Sequence, residues 1–168
     1  MSASLERRWE ALWDDPRLIV EAIRSGGYRT GLELLQGMKD GKVPRPPISA
    51  LLGYGPTEFS AGRAVFEAVP GEHHYNPMGM VHGGVAATLL DTAMACAVHT
   101  TLPIEVGYTT LELKINFVRP VTVETGPVRA VGEAVHVGKR TAVAEGRLLD
   151  AEDRLLATGS TTCMILRG

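Results

Sequence analysis

Cysteine and aromatic side chains are scarce: the 168 residues hold two Cys, two Trp, four Tyr and three Phe. Cys96 and Cys163 both sit in apolar runs, where a free thiol behaves as a small hydrophobe, and two cysteines allow at most one disulfide. A reduced, cytoplasmic protein is expected. Long apolar runs are missing too. The longest, Val85–Val98, spans 14 residues of which three are polar, too short to cross a bilayer. The opening MSASLERRWEALWDD carries charges where a secretory signal needs an uninterrupted apolar stretch. Charge of one sign is absent as well: 17 Lys+Arg against 19 Asp+Glu give a net charge of −2, with no dense basic block. That excludes the electrostatic footprint of a nucleic-acid binder. No GxSxG, P-loop or GxGxxG occurs, so α/β-hydrolase, NTPase and Rossmann readings lack their motifs. His73, His74, His82, His99 and His136 show no zinc spacing with a Cys or acid partner, and no metal is expected.

What is present describes one globular unit with 45% hydrophobic and 21% charged residues, able to bury about 68–70% of its unfolded surface without staples. Leu5, Trp9, Leu12 and Trp13 share a helical face that Asp15-Pro16 ends; Leu18, Ile19, Ala22 and Ile23 repeat the stripe up to Gly26-Gly27. Leu32, Leu35 and Met38 mark a third helix that stops at Gly41, and Val43–Pro47 reads as an extended connector. Residues 1–47 are thus a helical extension to a body at 48–168. Packing on that body or an oligomer contact accounts for the extension more simply than a lid over a substrate tunnel.

From residue 48 the pattern turns to strands around one helix. Strands are expected near Gly53–Phe59, Arg63–Val69, Tyr108–Val118, Val128–Val137, Thr141–Leu149 and Leu155–Leu166. In LELKINF, Leu111, Leu113, Ile115 and Phe117 alternate with Glu112, Lys114 and Asn116, which predicts one buried and one polar face. Breaks at Gly138–Arg140 and Asp150–Asp153 favour antiparallel hairpins. The fold class is α+β, a long antiparallel sheet with one helix inserted after two strands.

That helix, His82–Val98, is apolar almost throughout, so burial on nearly all sides is expected. After His82 its only ionisable side chain is Asp91, which shares a face with Thr88 and Thr92. Asp is a poor mid-helix residue, and burying it uncompensated costs several kcal/mol or raises its pKa. Either Thr88, Thr92 or a neighbouring chain satisfies it, or it is a base or nucleophile in a dry site. Ahead of the helix, Gly83-Gly84 leaves N–H groups uncovered at the positive end of the dipole, able to hold an oxyanion or simply to make a tight turn. Gly83 and Asp91 stand roughly 12 Å apart along one helix axis. One carbonyl cannot touch both, so if both are catalytic the second comes from another subunit across a two-fold interface.

The stretches NPMGMVHGGVAATLLDTAMACA, YTTLELKINFVRPV and VHVGKRTAVAEGRLLDAEDRLLATGSTTC together resemble the PaaI-like hotdog-fold acyl-CoA thioesterases of phenylacetate degradation. The likeness runs from about Leu51 to Leu166 and leaves residues 1–47 outside. It implies a hotdog fold, an antiparallel sheet wrapped around one long central helix, in protomers that pair into dimers and often tetramers. It also implies hydrolysis of an acyl-CoA thioester to acid and CoA with no cofactor, and neither nucleic acid nor membrane as partner. By position, the resemblance gives the Gly83 N–H to the thioester carbonyl, with Asn76 supporting that oxygen. Asp91 of the facing subunit becomes nucleophile or general base, Thr110 positions the water or acid with Thr109 as fallback, and His82 orients the Gly-Gly turn. Partial desolvation of Asp91 is expected from Ala87, Leu90 and Met94. Gly84 and Thr88 are expected to contact substrate, and Lys139 and Arg140 to meet the nucleotide phosphates. An acyl-CoA-binding sensor without catalysis, or a hydratase acting on an enoyl or hydroxyacyl thioester, are the alternatives. Asp91 speaks against the first and the His-Gly-Gly…Asp order against the second.

Overall fold

The computed structural model describes residues 16–167; the stripe Leu5, Trp9, Leu12 and Trp13 lies outside them. Three short helices come first: α1 (Pro16–Ser25), α2 (Gly31–Lys39) and α3 (Pro47–Leu51). Strands β1 (Tyr54–Ser60) and β2 (Arg63–Ala68) precede the long helix α4 (Gly83–His99), and β3 (Gly107–Phe117), β4 (Val128–Val137), β5 (Thr141–Leu149) and β6 (Leu155–Leu166) follow it. The strands form one sheet in the order β1-β2-β4-β5-β6-β3, with every pairing antiparallel. Expected and observed elements differ by a residue at most of their ends. The exception is α3, which falls where the extended connector was expected to hand over to the body. Pro47 opens it at a position where a fixed φ and a missing N–H cost nothing.

The sheet grips α4 through small residues. Gly132, Gly146 and Gly159 are register partners on β4, β5 and β6, with Ala64 next in the row on β2. A Cβ on Gly132 would stand 2.3 Å from the Ala93 backbone, and one on Gly146 2.9 Å from Met94. The helix therefore beds into the sheet more deeply than side-chain-covered strands permit. Leu89, Leu90, Ala93, Met94 and Val98 are buried there against Phe66, Ala130, Ala144 and Leu148, each large side chain contributing about 1.5–3 kcal/mol. On β5 the alternation is complete, with Ala142, Ala144, Gly146 and Leu148 inward and Thr141, Val143, Glu145 and Arg147 outward.

The alternation read for β3 fails halfway. Thr110 pairs with Cys163 but Glu112 with Thr162, so Leu111 is an extra residue in a β-bulge. A bulge reverses which face later side chains occupy. Leu113 and Ile115 are half-buried as expected, yet Leu111 is 52% and Phe117 60% exposed. Thr110, which the alternation carried back from Glu112 and Lys114 would put on the polar face, turns toward α4 instead.

The N-terminal segment is bolted to the far end of α4. The Gly31 N–H donates to the Leu102 carbonyl (2.9 Å), and a Cβ on Gly31 would meet the His99 carbonyl at 2.1 Å. Leu34 and Leu35 are buried, whereas Leu18, part of the stripe read for α1, is exposed while Ile19 and Ile23 face inward. Asp150 closes the β5–β6 turn, accepting from the Glu152 and Arg154 N–H groups and from Arg154 Nε (2.6 Å). Burial alone would raise its pKa, but those bonds and the Arg154 charge outweigh it and hold the carboxyl below its ordinary range. No helix among the described residues is long and apolar enough to cross a membrane.

Because the glycine row leaves α4 no room to retreat, Gly132→Ala should lower the free energy of unfolding by about 3 kcal/mol, whereas the outward-facing Glu145→Gln should change it by less than about 0.5 kcal/mol. Urea titration of the two variants beside the parent checks this, and equal midpoints would refute the close-packing account.

Candidate active site

The segment ahead of α4 is a set of nested backbone bonds. Asn76 Oδ1 accepts from the Met78 N–H (2.9 Å) and the Met80 N–H (3.4 Å), while the Asn76 N–H donates to the Met80 carbonyl (2.8 Å). Gly79, at φ +76°, supplies the left-handed residue that this turn requires. The loop is then anchored by Val81 N–H to the Val121 carbonyl and His82 N–H to the His74 carbonyl, both 2.8 Å. With its oxygen committed to the turn, Asn76 has its side-chain NH₂ to offer elsewhere.

His82 caps the helix. Its Nδ1 accepts the Gly84 N–H at 2.9 Å and its carbonyl the Val85 N–H at 2.9 Å, which leaves the Gly83 N–H as the first-turn donor that the cap does not use. The Gly84 N–H is therefore spent on His82, and the uncommitted donor is that of its neighbour Gly83. Thr88 gives its hydroxyl to the Gly84 carbonyl (2.9 Å). Gly83 and Asn76 open on one groove of about 590 Å³, walled by Met80, Phe117, Arg119 and Val121. Phe117 lies across Gly83 so closely that a Cβ there would meet its ring at 2.9 Å. Neither Phe117 nor Arg119 stood out in the sequence as a site residue. Phe117 belongs to the stripe expected to be buried, and nothing in the sequence sets Arg119 in this groove.

Asp91 sits two turns along α4, on the half-buried stripe of Ala87, Thr88 and Asp91 that the sheet leaves uncovered. Its partner is neither Thr88 nor Thr92 but Thr110, whose hydroxyl donates to Asp91 Oδ1 at 2.9 Å. The bulge at Leu111 makes this bond possible. Thr92 is engaged with the Tyr54 hydroxyl (3.2 Å). Leu90 and Met94, expected to dehydrate Asp91, pack against Gly146 instead, Met94 reaching Gly159 as well. The groups around the acid are Tyr54, Cys96, Tyr108 and Cys163, and each of them feels its charge. Burial, and then the Asp91 charge, pushes the Cys96 thiol up to about 12, which rules it out as a nucleophile. Burial likewise raises Tyr54 and Tyr108 above the ordinary phenol value.

The structure thus brings Asp91 to Thr110, and Gly83 to Asn76, His82 and Gly84, as two separate halves. Thr109 is exposed on β3 and Lys139 and Arg140 are exposed in the β4–β5 turn beside the end of β6. Neither cation lines the Gly83 groove. Among the described residues no group of three or more His, Cys, Asp or Glu is placed to hold a metal ion.

Comparison with known proteins bears on the fold and the family. The sequence model of the thioesterase superfamily matches residues 78–157, from the turn before α4 into β6. A 1,4-dihydroxy-2-naphthoyl-CoA hydrolase of Listeria monocytogenes is 31% identical over 118 residues, covering 70% of this chain and 94% of the relative. Among solved structures, a conserved protein of Pseudomonas aeruginosa superposes with a TM-score of 0.69 at 32% identity, over 73% of this chain and 95% of that one. A phenylacetic acid degradation-related protein of Ralstonia eutropha superposes at 0.70 and 29% identity, over 77% and 98%. Since the superfamily model matches the segment around α4 and this chain spans nearly the full length of relatives about 30% identical to it, it belongs to the thioesterase superfamily, on the PaaI-like hotdog fold.

Proposed function

We propose that this thioesterase hydrolyses an acyl-CoA ester to carboxylic acid and free CoA, at a site completed by a second copy of the chain. The observation that carries the proposal is the Thr110–Asp91 hydrogen bond, which holds a mid-helix acid on the stripe of α4 that the chain's own sheet leaves open. The unused Gly83 N–H lies two turns away on the same rigid helix, roughly 12 Å off along the axis. A two-fold pairing of these helices sets the Gly83 of one copy against the Asp91 of the other.

In this site the Gly83 N–H and the Asn76 side-chain amide polarise the thioester carbonyl, and the helix dipole favours the oxyanion that develops there. Asp91 supplies the attacking oxygen, either its own or that of a water whose proton it takes. Thr110 fixes the carboxylate oxygen that does not react. The tetrahedral oxyanion then collapses and expels the CoA thiolate, a good leaving group that needs little acid assistance; when water attacked, the free acid is already formed, and when Asp91 attacked, a water molecule then hydrolyses the acyl–Asp91 anhydride to release the acid and restore the carboxylate. Arg119 in the groove wall is the near cation for the nucleotide phosphates, while Lys139 and Arg140, at the opposite end of β6, meet them only from another copy. The naphthoyl-CoA hydrolase named above, acting on a CoA thioester, supports the same substrate handle.

Three measurements test the proposal. Thiol release from a panel of CoA esters should be readily detected with the parent protein and fall by about 10³-fold in Asp91→Asn. If no ester releases thiol while CoA esters still bind, the protein is a sensor and the hydrolase reading fails.

Thr110→Val should lower kcat by about 10–100-fold, the worth of a hydrogen bond to a charged group, and Thr110→Ser should restore most of it. A serine variant as poor as the valine one would show that the hydroxyl is not what matters.

Gly83→Pro removes the unused N–H at a first helical position where proline is tolerated and presses on the Phe117 ring, as Gly83→Ala does while keeping the N–H; the proline variant should lose about 10²–10³-fold in kcat beyond the alanine one. Refolding Asp91→Asn together with Gly83→Pro should then recover about a quarter of parental activity, because half of the dimers are mixed and each carries one intact site. Failure to recover activity, with mixed dimers present, would place both groups in one subunit.

A further inference from the structure

A second cavity, of about 200 Å³, lies under the N-terminal segment. Its roof is Ile19 and Ile23 of α1 with Met38 of α2, all preceding the stretch matched by the superfamily. Its floor includes Phe66 and Tyr108, and its wall on α4 begins at Thr92, the residue after Asp91, and continues to Cys96 one turn on. The cavity wall thus starts one residue beyond the acid on α4 and runs away from it along the helix to His99.

The chemistry of the wall selects its occupant. Among the described residues no Asp, Glu, Lys or Arg lines it. The Tyr54 hydroxyl is engaged with Thr92, and Tyr108 with Cys96. His99, at the far end, is held below its ordinary pKa by burial, which keeps it neutral. A ligand here finds dispersion contacts and few free hydrogen-bonding groups. That disfavours the amide-bearing pantetheine arm, a hydroxylated tail or a dicarboxylate, each of which would leave polar groups unpaired. Size sets the other limit: an apolar cavity of about 150 Å³ stays dry and takes benzene, so this one has room for a single ring or a short branched chain and not for a long fatty tail.

We propose that this cavity is the acyl pocket, that it takes the uncharged tail of a monocyclic aryl or short branched acyl thioester, and that α1 and α2 set its upper size limit. The inference rests on the hydrolase reading above for its access route, since the tail enters past Asp91 once the carbonyl is seated. It gives the N-terminal segment a role in choosing the substrate. The roof residue Ile23 is the side chain on which that choice turns.

The test compares kcat/KM for acetyl-, isovaleryl-, phenylacetyl-, octanoyl- and palmitoyl-CoA in the parent protein, Ile23→Trp and Ile23→Ala, with melting curves to confirm that each variant is folded. The parent should prefer phenylacetyl or isovaleryl over acetyl and palmitoyl. Ile23→Trp should cut the phenylacetyl-to-acetyl ratio by about tenfold or more, and Ile23→Ala should raise the octanoyl-to-isovaleryl ratio by about tenfold. Turnover with ratios unchanged in both folded variants overturns the pocket and leaves the hydrolase reading intact. If the parent turns over no ester, the hydrolase reading fails and calorimetry with the S-methyl and S-phenethyl thioethers of CoA decides the pocket alone. Tighter binding of the phenethyl compound that Ile23→Trp abolishes supports it, and affinity independent of the tail, or no binding, overturns it.

Discussion

Helix α4 lies against bare backbone. Where Gly132, Gly146 and Gly159 cross the sheet in one row, the strands present no side chain to the helix, and Ala93 and Met94 settle into the space. Interiors packed to this density do not slide or tilt without loss, so the row fixes the depth and rotation of the helix together. Both halves of the site follow from that rotation. Leu89, Leu90 and Met94 turn to the sheet, and the stripe carrying Ala87, Thr88 and Asp91 is left at the open side. A helix seated higher, on strands bearing larger residues, would move the acid away from the hydroxyl that holds it.

That hydroxyl depends on a second departure from regularity. In an unbroken β3 the side chain two positions before Glu112 points with it to solvent; with Leu111 bulged out, Thr110 points to the helix. Bulges concentrate beside active sites because one extra residue re-aims a single side chain without disturbing the pairing on either side. Here Thr109, Thr110 and Glu112 stay in register with Met164, Cys163 and Thr162. The bond to Asp91 is what makes an acid tolerable at mid-helix, where the carboxylate otherwise competes with the backbone.

These particulars show which features the sequence makes legible. The order of elements, the antiparallel hairpins and the long helix are periodic, and periodicity survives reading one residue at a time. Asp91 and the Gly83-Gly84 start also stand out locally, as an acid in an apolar run and as two glycines where a helix begins. The bulge is not legible, because LELKINF alternates without a fault and the slip exists only relative to Cys163 and Thr162 on another strand. Phe117 stays in step with Leu113 and Ile115, but it lies over Gly83 where α4 begins, so its exposure comes from the end of the helix and not from the alternation. The short helix Pro47–Leu51 hid behind a proline-rich stretch, since the same residue that stiffens an extended connector also starts a helix. The cavity walls were out of reach altogether: Ile19, Met38, Phe66 and Thr92 are far apart in sequence and meet only once the fold is complete.

The same rigidity explains why one helix carries two groups that cannot serve one carbonyl. Catalytic groups held on a buried helix keep their geometry better than groups on loops, and α4 is clamped at both ends, by the His82 cap at its start and by Gly31 against His99 at its finish. Within one chain that clamping holds Gly83 and Asp91 permanently apart. On the proposed reading a two-fold axis resolves the conflict without loosening either group, because it brings a second copy of the same rigid element alongside in the opposite direction. On the same proposal the facing copy covers the stripe that leaves Asp91 half-exposed, which would make completion of the site and dehydration of the acid one event. A thioester hydrolase of this design needs no moving lid to assemble its chemistry, and the N-terminal helices are left free to shape what enters.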